Sequence, residues 1–478
     1  MSIYIYNSLT RKKEEFIPLN PGVVNMYTCG VTVYDNCHVG HGRSLYIFEV
    51  MRRYLEYRGY RVNFVRNITD VDDKIINRAQ ELNTDWQELV NKYIESYYHD
   101  IELLGVRKGL TDEKGIEPRA TVNIPQMIEY IKKLIDKGSA YSVKSGVYFN
   151  VRNFKNYGKL SGQSIDEMLS GVRKDSDEDK LDPLDFALWK TAKDGEPSWD
   201  SPWGKGRPGW HIECSVMSQR FLNTFTLDIH AGGRDLIFPH HENEIAQAEA
   251  LTGMPFARYW VHHGLLTING QKMSKSLGNF ITIQEFFNKY KGFDFLKLFF
   301  LGAHYTSPVD FTDEKIQEAK RAYERVAMLI SKLDDFLINY RQESEDHPLT
   351  KSAEEIKEKF ISYMDDDFNT PKALSVVFDL VTRSNIALEK GKLEHREFLF
   401  EARKLLSEFL NIFILQFSLE ASVGGISEKE VEVLINSRVD YKKKKMFQEA
   451  DKIRKDLEAM GVILEDTKDG KTTWRRKI

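Results

Sequence analysis

Three cysteines in 478 residues, Cys29, Cys37 and Cys214, are too few and too scattered for a disulfide framework. They leave metal binding or plain core packing open. Net charge is scarce as well, with 68 Lys and Arg against 72 Asp and Glu, a formal −4. That gives no global sign of nucleic-acid binding, so any such contact has to come from a local patch. No apolar run is long enough to cross a membrane, and Met1 to Glu15 lacks the basic-then-apolar pattern of a secretion signal. The expectation is a cytoplasmic protein with no membrane partner. No repeat at a solenoid period is visible. The remaining composition, 41% hydrophobic and 29% charged, is that of a globular chain, and its length calls for three or four folding units.

What is present begins with short β-type runs, Ile3 to Tyr6 and Val23 to Cys29, the second ending in a polar turn. His38-Val-Gly-His41 follows, then an apolar-periodic helix over Tyr46 to Tyr57, closed by Gly59. Val62 to Val65 reads as the next strand, with Asn67-Ile-Thr-Asp-Val-Asp-Asp73 at its end. Strand–helix–strand units of this length imply a parallel α/β sheet, whose ligands bind beyond the strand C-termini. From about Thr121 to Pro202 the pattern changes to mixed elements and Gly-, Ser- and Asp-rich turns, which reads as an insertion between two halves of the sheet. The charged run Arg173 to Lys180 within it reads as a solvated loop. The α/β pattern returns with Trp210-His-Ile-Glu-Cys214, the strand Thr226 to His230, and the helix start Phe238-Pro-His-His-Glu-Asn-Glu244. Asn269-Gly270 predicts a hairpin, and Lys272-Met-Ser-Lys-Ser276 follows it. Beyond Phe311 the chain reads as helical, with Thr312 and Thr370 as N-caps. Linkers are expected at Arg341 to Thr350 and Ala421 to Ser427, then a helix through Phe447, Ile453 and Leu457 and a small hairpin of Val462 to Leu464 with Thr472 to Trp474. Arg438 to Ile478 carries 13 Lys and Arg against 8 Asp and Glu, a local basic excess.

Three constellations carry chemistry. A strand–turn–helix start offers free backbone N–H groups and a positive dipole end to anions, phosphate above all. His38 and His41 there suit a triphosphate whose charge grows in a transition state, and Gly40 admits a close backbone approach. Two surface histidines at a turn describe the same residues equally well. Lys272 and Lys275 beside Ser274 and Ser276 suit a mobile loop that neutralises a leaving polyphosphate. Five specified residues make this a sharper signal than the first. Cys29, Cys214, His240 and Glu244 are all competent zinc ligands, the last two spaced to share one helix face. Their spacing is unlike a zinc finger. On spacing alone the plainer reading, two buried cysteines and a polar helix start, is the better one. Cys37 reads as a packed thiol.

His38-Val-Gly-His41 at the first helix of an α/β domain, with Lys272-Met-Ser-Lys-Ser276 more than two hundred residues later, resembles the class I aminoacyl-tRNA synthetases. Val39 stands where Ile is common in that family. Cys29, Trp210 to Cys214, His240 to Glu244, Asn67 to Asp73, Asp365-Asp-Asp-Phe-Asn-Thr370 and Thr473 to Arg476 are similar to segments of the cysteinyl-tRNA synthetase family, over essentially the whole chain. Ala231 in a usually all-glycine turn and the acidic insert near Asp177 are small departures.

The resemblance implies an α/β fold: a split Rossmann-like parallel-sheet catalytic domain (1–120 and 203–271) with a connective insertion (121–202). A signature loop and stem-contact region (272–311), a helical bundle (312–420) and a small basic α+β anticodon-binding domain (428–478) would follow. It implies that L-cysteine and ATP, the latter with Mg2+, give cysteinyl-adenylate, from which cysteine passes to tRNA(Cys). His38, Gly40, His41, Lys272, Ser274 and Lys275 would bind ATP, with the two histidines and two lysines catalytic. Cys29, Cys214, His240 and Glu244 would hold one Zn2+ per chain. That would explain how a thiol is told from serine's hydroxyl, since packing discriminates isosteres weakly. Gly30, Thr69, Trp210, His230 and Asp235 are candidates to hold the rest of the substrate, and Trp474, Arg475 and Arg476 to contact tRNA. A monomer is expected. Two rival readings are a ligase that passes cysteine to a small amino-sugar, against which the basic tail speaks, and a non-catalytic tRNA-binding protein.

Overall fold

The computed structural model describes residues 2–112, 115–171, 179–273, 278–339, 350–390, 395–417, 428–443, 446–459, 462–466 and 472–476. The charged run near 173–178, both linker regions in large part, Ser274, Lys275, Ser276 and the turn at Asp469-Gly470 lie outside these residues.

A hairpin of β1 (Tyr4–Asn7) and β2 (Lys12–Glu15) leads into β3 (Val23–Thr32), α1 (Val39–Tyr57) and β4 (Arg61–Thr69). Helices α2 (Asp73–Leu82) and α3 (Trp86–Leu103) follow. The next stretch holds α4 (Ile124–Asp136), β5 (Ala140–Val143), β6 (Gly146–Phe149), α5 (Ile165–Gly171), β7 (Phe186–Thr191) and β8 (Gly206–Pro208). Its four strands form an antiparallel sheet in the order β5-β6-β7-β8. The chain then returns to the first unit through α6 (Trp210–Leu222), β9 (Leu227–Gly233), α7 (Glu242–Thr252) and β10 (Ala257–His263).

The main sheet is parallel throughout, in the order β10-β9-β3-β4. The two outer pairs come from the two sequence halves, and β3 meets β9 through Met26, Tyr27 and Thr28 against Ile229, His230 and Ala231. That seam is where the strand order reverses, which is where open α/β sheets take their ligands. β3 is buried from Val24 to Thr28 and β9 along its whole length, as a sheet covered on both faces requires.

Helix α1 begins at Val39, seven residues ahead of the apolar-periodic segment that announces it. Gly40 and Gly42 are poor helix formers, so periodicity alone does not reach back that far. The start is held by a cap at His38 instead. Along α1, Val39, Leu45, Tyr46, Phe48, Val50, Met51, Tyr54 and Leu55 are buried in the main core.

After β10 the predicted hairpin is present as β11 (Leu266–Ile268) and β12 (Gln271–Lys272), with Asn269 and Gly270 both at positive φ. Then come α8 (Ile283–Tyr290), α9 (Asp294–Leu301), β13 (Val309–Phe311) and four long helices: α10 (Asp313–Asn339), α11 (Lys351–Asp365), α12 (Thr370–Lys390) and α13 (Arg396–Ile412). Thr312 Oγ1 accepts from Lys315 N at α10, as a cap should. At α12 the cap is Asn369, whose Oδ1 accepts from Lys372 N, while Thr370 is already helical and donates to Leu301 O. The last unit joins α14 (Glu428–Lys443) and α15 (Phe447–Ala459) to an antiparallel pair, β14 (Val462–Asp466) and β15 (Thr472–Arg476). Its core is Val431, Ile435, Leu457, Val462 and Leu464. No described helix is long and apolar enough to cross a membrane.

Candidate active site

A cavity of about 440 Å³ opens at the C-terminal ends of β3 and β9, over the start of α1. Cys29, Gly30, His38, Gly40, His41, Trp210, Asp235 and Lys272 line it. Eight residues proposed from sequence for three different tasks, nucleotide, amino-acid and metal binding, therefore face one space.

At the helix start the two histidines cap one another. His38 Nδ1 accepts from His41 N at 3.2 Å, and His41 Nδ1 accepts from His38 N at 3.3 Å. Their rings stack 3.7 Å apart. Gly40 lies between them, where a Cβ would come within 2.9 Å of the His38 ring. Burial pushes His38 down to about 4 and His41 well below its ordinary value. Both rings are thus neutral near pH 7. Since each Nδ1 accepts, each proton sits on Nε2, which remains as a donor.

Behind the cavity lies a buried cluster. Cys29, Cys214, His240 and Glu244 each offer one ligand atom, all within 4.8 Å of one another. Cys29 Sγ lies 3.8 Å from Cys214 Sγ, and His240 Nε2 lies 3.5 Å from Cys214 Sγ and 3.0 Å from Glu244 Oε1. His240 sits in a wide turn over 237–241 rather than in the regular part of α7, but the two side chains still meet. Burial opposes the ionised form of Glu244, yet His230 and His240 outweigh it and hold the carboxyl at about 2. Burial raises the Cys29 thiol, whereas contact with Cys29 and His240 draws Cys214 down in spite of burial.

Cys29, His230, His241 and Glu244 form a second four-donor group that overlaps the first. In it, His230 Nε2 is engaged by Glu244 Oε2 at 2.8 Å, and His241 Nδ1 by His262 Nε2 at 2.8 Å. The first group holds both thiols, and its His240 is oriented from outside by His211, Nδ1 to Nδ1 at 3.0 Å. Two sulfurs, an imidazole and a carboxylate, buried except where Cys29 meets the cavity and braced by a second histidine, fit a tetrahedral zinc site.

The remaining sequence candidates divide by depth. Trp210, 38% exposed, stacks on His240 at 4.2 Å and walls the cavity. Asp235 is exposed at its rim. A Cβ on Gly30 would fall 1.6 Å from Asn67 O, so only glycine lets β3 run this close to β4. Thr69 and His230 do not line the cavity. Thr69 Oγ1 donates to Glu213 Oε2 at 2.7 Å, and His230 is fully buried beneath the cluster. Cys37 is buried in the main core and belongs to neither donor group. Lys272 is exposed on β12, while Ser274 and Lys275 lie outside the described residues. Trp474 packs against the small C-terminal core, and Arg475 and Arg476 lie on β15 beside it.

Sequence reasoning passed over His211, His241, His262 and Arg43. The doublet His262-His263 at the end of β10 is a legible signal for a site at the sheet's C-terminal edge. Nothing in the sequence marks Arg43, which is fully buried and donates to Gly264 O, Leu265 O, Tyr305 O and Ser307 O at 2.6, 3.1, 3.3 and 2.7 Å.

The family description "tRNA synthetases class I (C) catalytic domain" matches residues 15–321, and "DALR domain" matches 359–418. The chain is 50% identical to the cysteine–tRNA ligase of Aquifex aeolicus, over 100% of this chain and 99% of the relative. It is 49% identical to that of Persephonella marina, over 100% of both chains, and 47% identical to that of Clostridioides difficile, over 99% of both. These matches run through the basic tail, and none supports an amino-sugar acceptor. Among solved structures, Mycobacterium tuberculosis methionyl-tRNA synthetase in complex with methionyl-adenylate matches with a TM-score of 0.64 at 15% identity. It covers 86% of this chain and 94% of that one, a likeness of fold. A parallel split sheet, both family matches and full-length relatives near half identity lead to one conclusion: the chain belongs to the class I tRNA synthetases, in the family of the cysteine–tRNA ligases.

Proposed function

We propose that this chain, whose relatives are named cysteine–tRNA ligases, activates L-cysteine with ATP and transfers it to the 3′ end of tRNA(Cys). The observation that carries the reading is the single cavity that both signature histidines share with Cys29 and Trp210. The cysteine carboxylate attacks the α-phosphate of ATP, which enters with Mg2+, and pyrophosphate leaves. The Nε2–H groups of His38 and His41 donate to phosphate oxygens as their charge grows. Lys272, joined by Ser274 and Lys275 of the signature loop, follows the pyrophosphate. Asp235 pairs with the substrate ammonium, and Trp210 walls its side chain.

Cys29, Cys214, His240 and Glu244 would hold one Zn2+ per chain. Bound there, it supplies a soft Lewis acid that prefers a thiolate to serine's neutral hydroxyl. Gly30, with Asn67 Oδ1 accepting from its N–H at 2.9 Å, brings the strand end close to the substrate, while Thr69 and His230 brace the site from behind. The terminal adenosine hydroxyl of the tRNA then attacks the acyl carbon and AMP departs. The helical region and the basic last unit carry the tRNA, with Trp474, Arg475 and Arg476 as contacts. The domain limits expected from sequence, a monomeric state and a cytoplasmic location complete the proposal.

The test is cysteine-dependent ATP–pyrophosphate exchange with serine as control. Exchange with cysteine and none above background with serine is the expected result. No exchange in zinc-loaded protein overturns the enzyme reading. Full preference for cysteine in a verified metal-free Cys214→Ser variant overturns the zinc part alone.

A further inference from the structure

Asp365 closes α11, Asp366 and Asp367 open the turn to α12, and each side chain reaches a different part of the catalytic unit. Asp365 Oδ1 accepts from Tyr54 OH at 2.6 Å and is paired with Arg58, both at the C-terminal end of α1. Asp366 pairs with Lys13 on β2. Asp367 Oδ1 accepts from Tyr6 N at 2.8 Å and from Tyr305 OH at 2.7 Å.

The backbone joins in. Asp367 N donates to Tyr4 O, and Asp367 O accepts from His304 Nε2, both at 2.9 Å. Asp367 and Phe368 are consecutive residues in the left-handed region, at φ +64° and +49°, although neither is glycine. Such a conformation persists only where its surroundings dictate it, and it collects at functional joints. Asp365 and Asp367 are each only 4% exposed.

Two routes lead from this turn to the helix start that carries the phosphate-facing histidines. One runs along α1 itself, from Tyr54 and Arg58 back to His38. The other runs from Asp367 to Tyr305, whose carbonyl accepts from Arg43, two residues past His41. An apolar seam alone could hold the two lobes together but would tolerate sliding. Directional buried hydrogen bonds select one register.

We infer that Asp365 and Asp367 are positioning residues for transfer to tRNA: they lock the helical region to α1 so that a tRNA held by its anticodon arm presents its 3′ end to the adenylate. The inference rests on the reading of the chain as a cysteine–tRNA ligase. Neither residue touches the cavity, so their loss falls far more heavily on transfer to tRNA than on activation of cysteine.

The experiment uses the full chain and the variants Asp365→Asn, Asp367→Asn and Tyr305→Phe. Each is assayed for cysteine-dependent ATP–pyrophosphate exchange and for charging of tRNA(Cys) with its own or a replaced anticodon. Exchange stays within twofold of the parent, and charging with the native anticodon falls at least tenfold in the aspartate variants. The penalty for a replaced anticodon shrinks by at least tenfold, because the anticodon no longer governs the position of the 3′ end. Tyr305→Phe removes one hydroxyl and moves both readouts the same way by a smaller factor, which keeps the test open if an aspartate variant does not fold. An unchanged anticodon penalty, or equal losses in exchange and charging, overturns the clasp. A parent chain without exchange overturns the functional reading instead.

Discussion

His38 and His41 each accept the other's backbone N–H through Nδ1, and so fix each other's tautomer. The usual capping box pairs Ser or Thr with Glu or Gln. Here the capping atoms belong to the same rings whose Nε2 atoms are proposed to meet the phosphates. Capping leaves Nε2 protonated, and burial keeps a second proton off. The pair is therefore a set of two neutral donors, ready before ATP arrives and needing no rearrangement as charge develops.

His38→Asn separates the two duties. Asparagine is a good N-cap, so folding stability by urea denaturation should stay within about 0.5 kcal/mol of the parent. It cannot reproduce the Nε2 donor, so the kcat of ATP–pyrophosphate exchange should fall roughly 10²–10³-fold. A variant that keeps both stability and rate removes His38 from the phosphate-binding role.

The layout of the sheet and the position of the site were legible because they follow from local patterns. Alternating strand and helix segments predict a parallel sheet, and its ligands lie at strand C-termini. Cys29, Gly30 and His38 could be located on that ground. The four-donor cluster was not legible from spacing. Cys29 and Cys214 are 185 residues apart, and only the pairing of β3 with β9 and the packing of α6 bring them to 3.8 Å. Family resemblance supplied what periodicity could not. The depth of Thr69 and His230 was hidden for a related reason: a strand end exposes one side chain and buries the next, and which one depends on what packs behind it. Arg43 is the extreme case, since a buried cation whose two terminal nitrogens donate to four backbone carbonyls has no sequence partner to announce it.

Acid should weaken the fold in a defined window. Burial pushes His38 and His263 down to about 4, from an ordinary value of 6.5. Between those limits the unfolded chain binds protons that the folded chain refuses. The stability at stake is fully present above pH 6.5 and is lost as pH falls toward 4, by at most roughly 3 kcal/mol per group. Urea midpoints should therefore fall between pH 7 and pH 5, and fall less in His263→Gln. A midpoint unchanged over that range contradicts the assignment.

Arg43→Lys should be far from conservative. The guanidinium spreads its donors over carbonyls from two chain segments, 264–265 and 305–307, while an ammonium is a compact donor that cannot span them. Leaving one or two buried carbonyls unpaired costs roughly 1–3 kcal/mol. The same bonds fix α1 just past His41, so exchange activity should drop along with stability. A lysine variant with the parent's urea midpoint would show that the four contacts contribute nothing net.

The metal reading has a consequence outside the four donors. For His240 Nε2 to serve as a ligand its proton must sit on Nδ1, and His211 Nδ1 is the atom placed to accept it, at 3.0 Å. His211→Phe removes that acceptor and keeps an aromatic ring where Phe186 and Trp210 pack. Zinc affinity, measured by competition with a chromophoric chelator, should weaken 10–100-fold, the usual effect of losing a group that orients a metal-bound histidine. His211→Gln offers an amide oxygen in the same direction and should recover part of the loss. Because burial keeps His211 neutral, its charge does not enter, and the difference between the two variants isolates the hydrogen bond. Equal zinc affinity in the parent and in His211→Phe would mean that His240 is not held this way, and would turn attention to the overlapping donors His230 and His241.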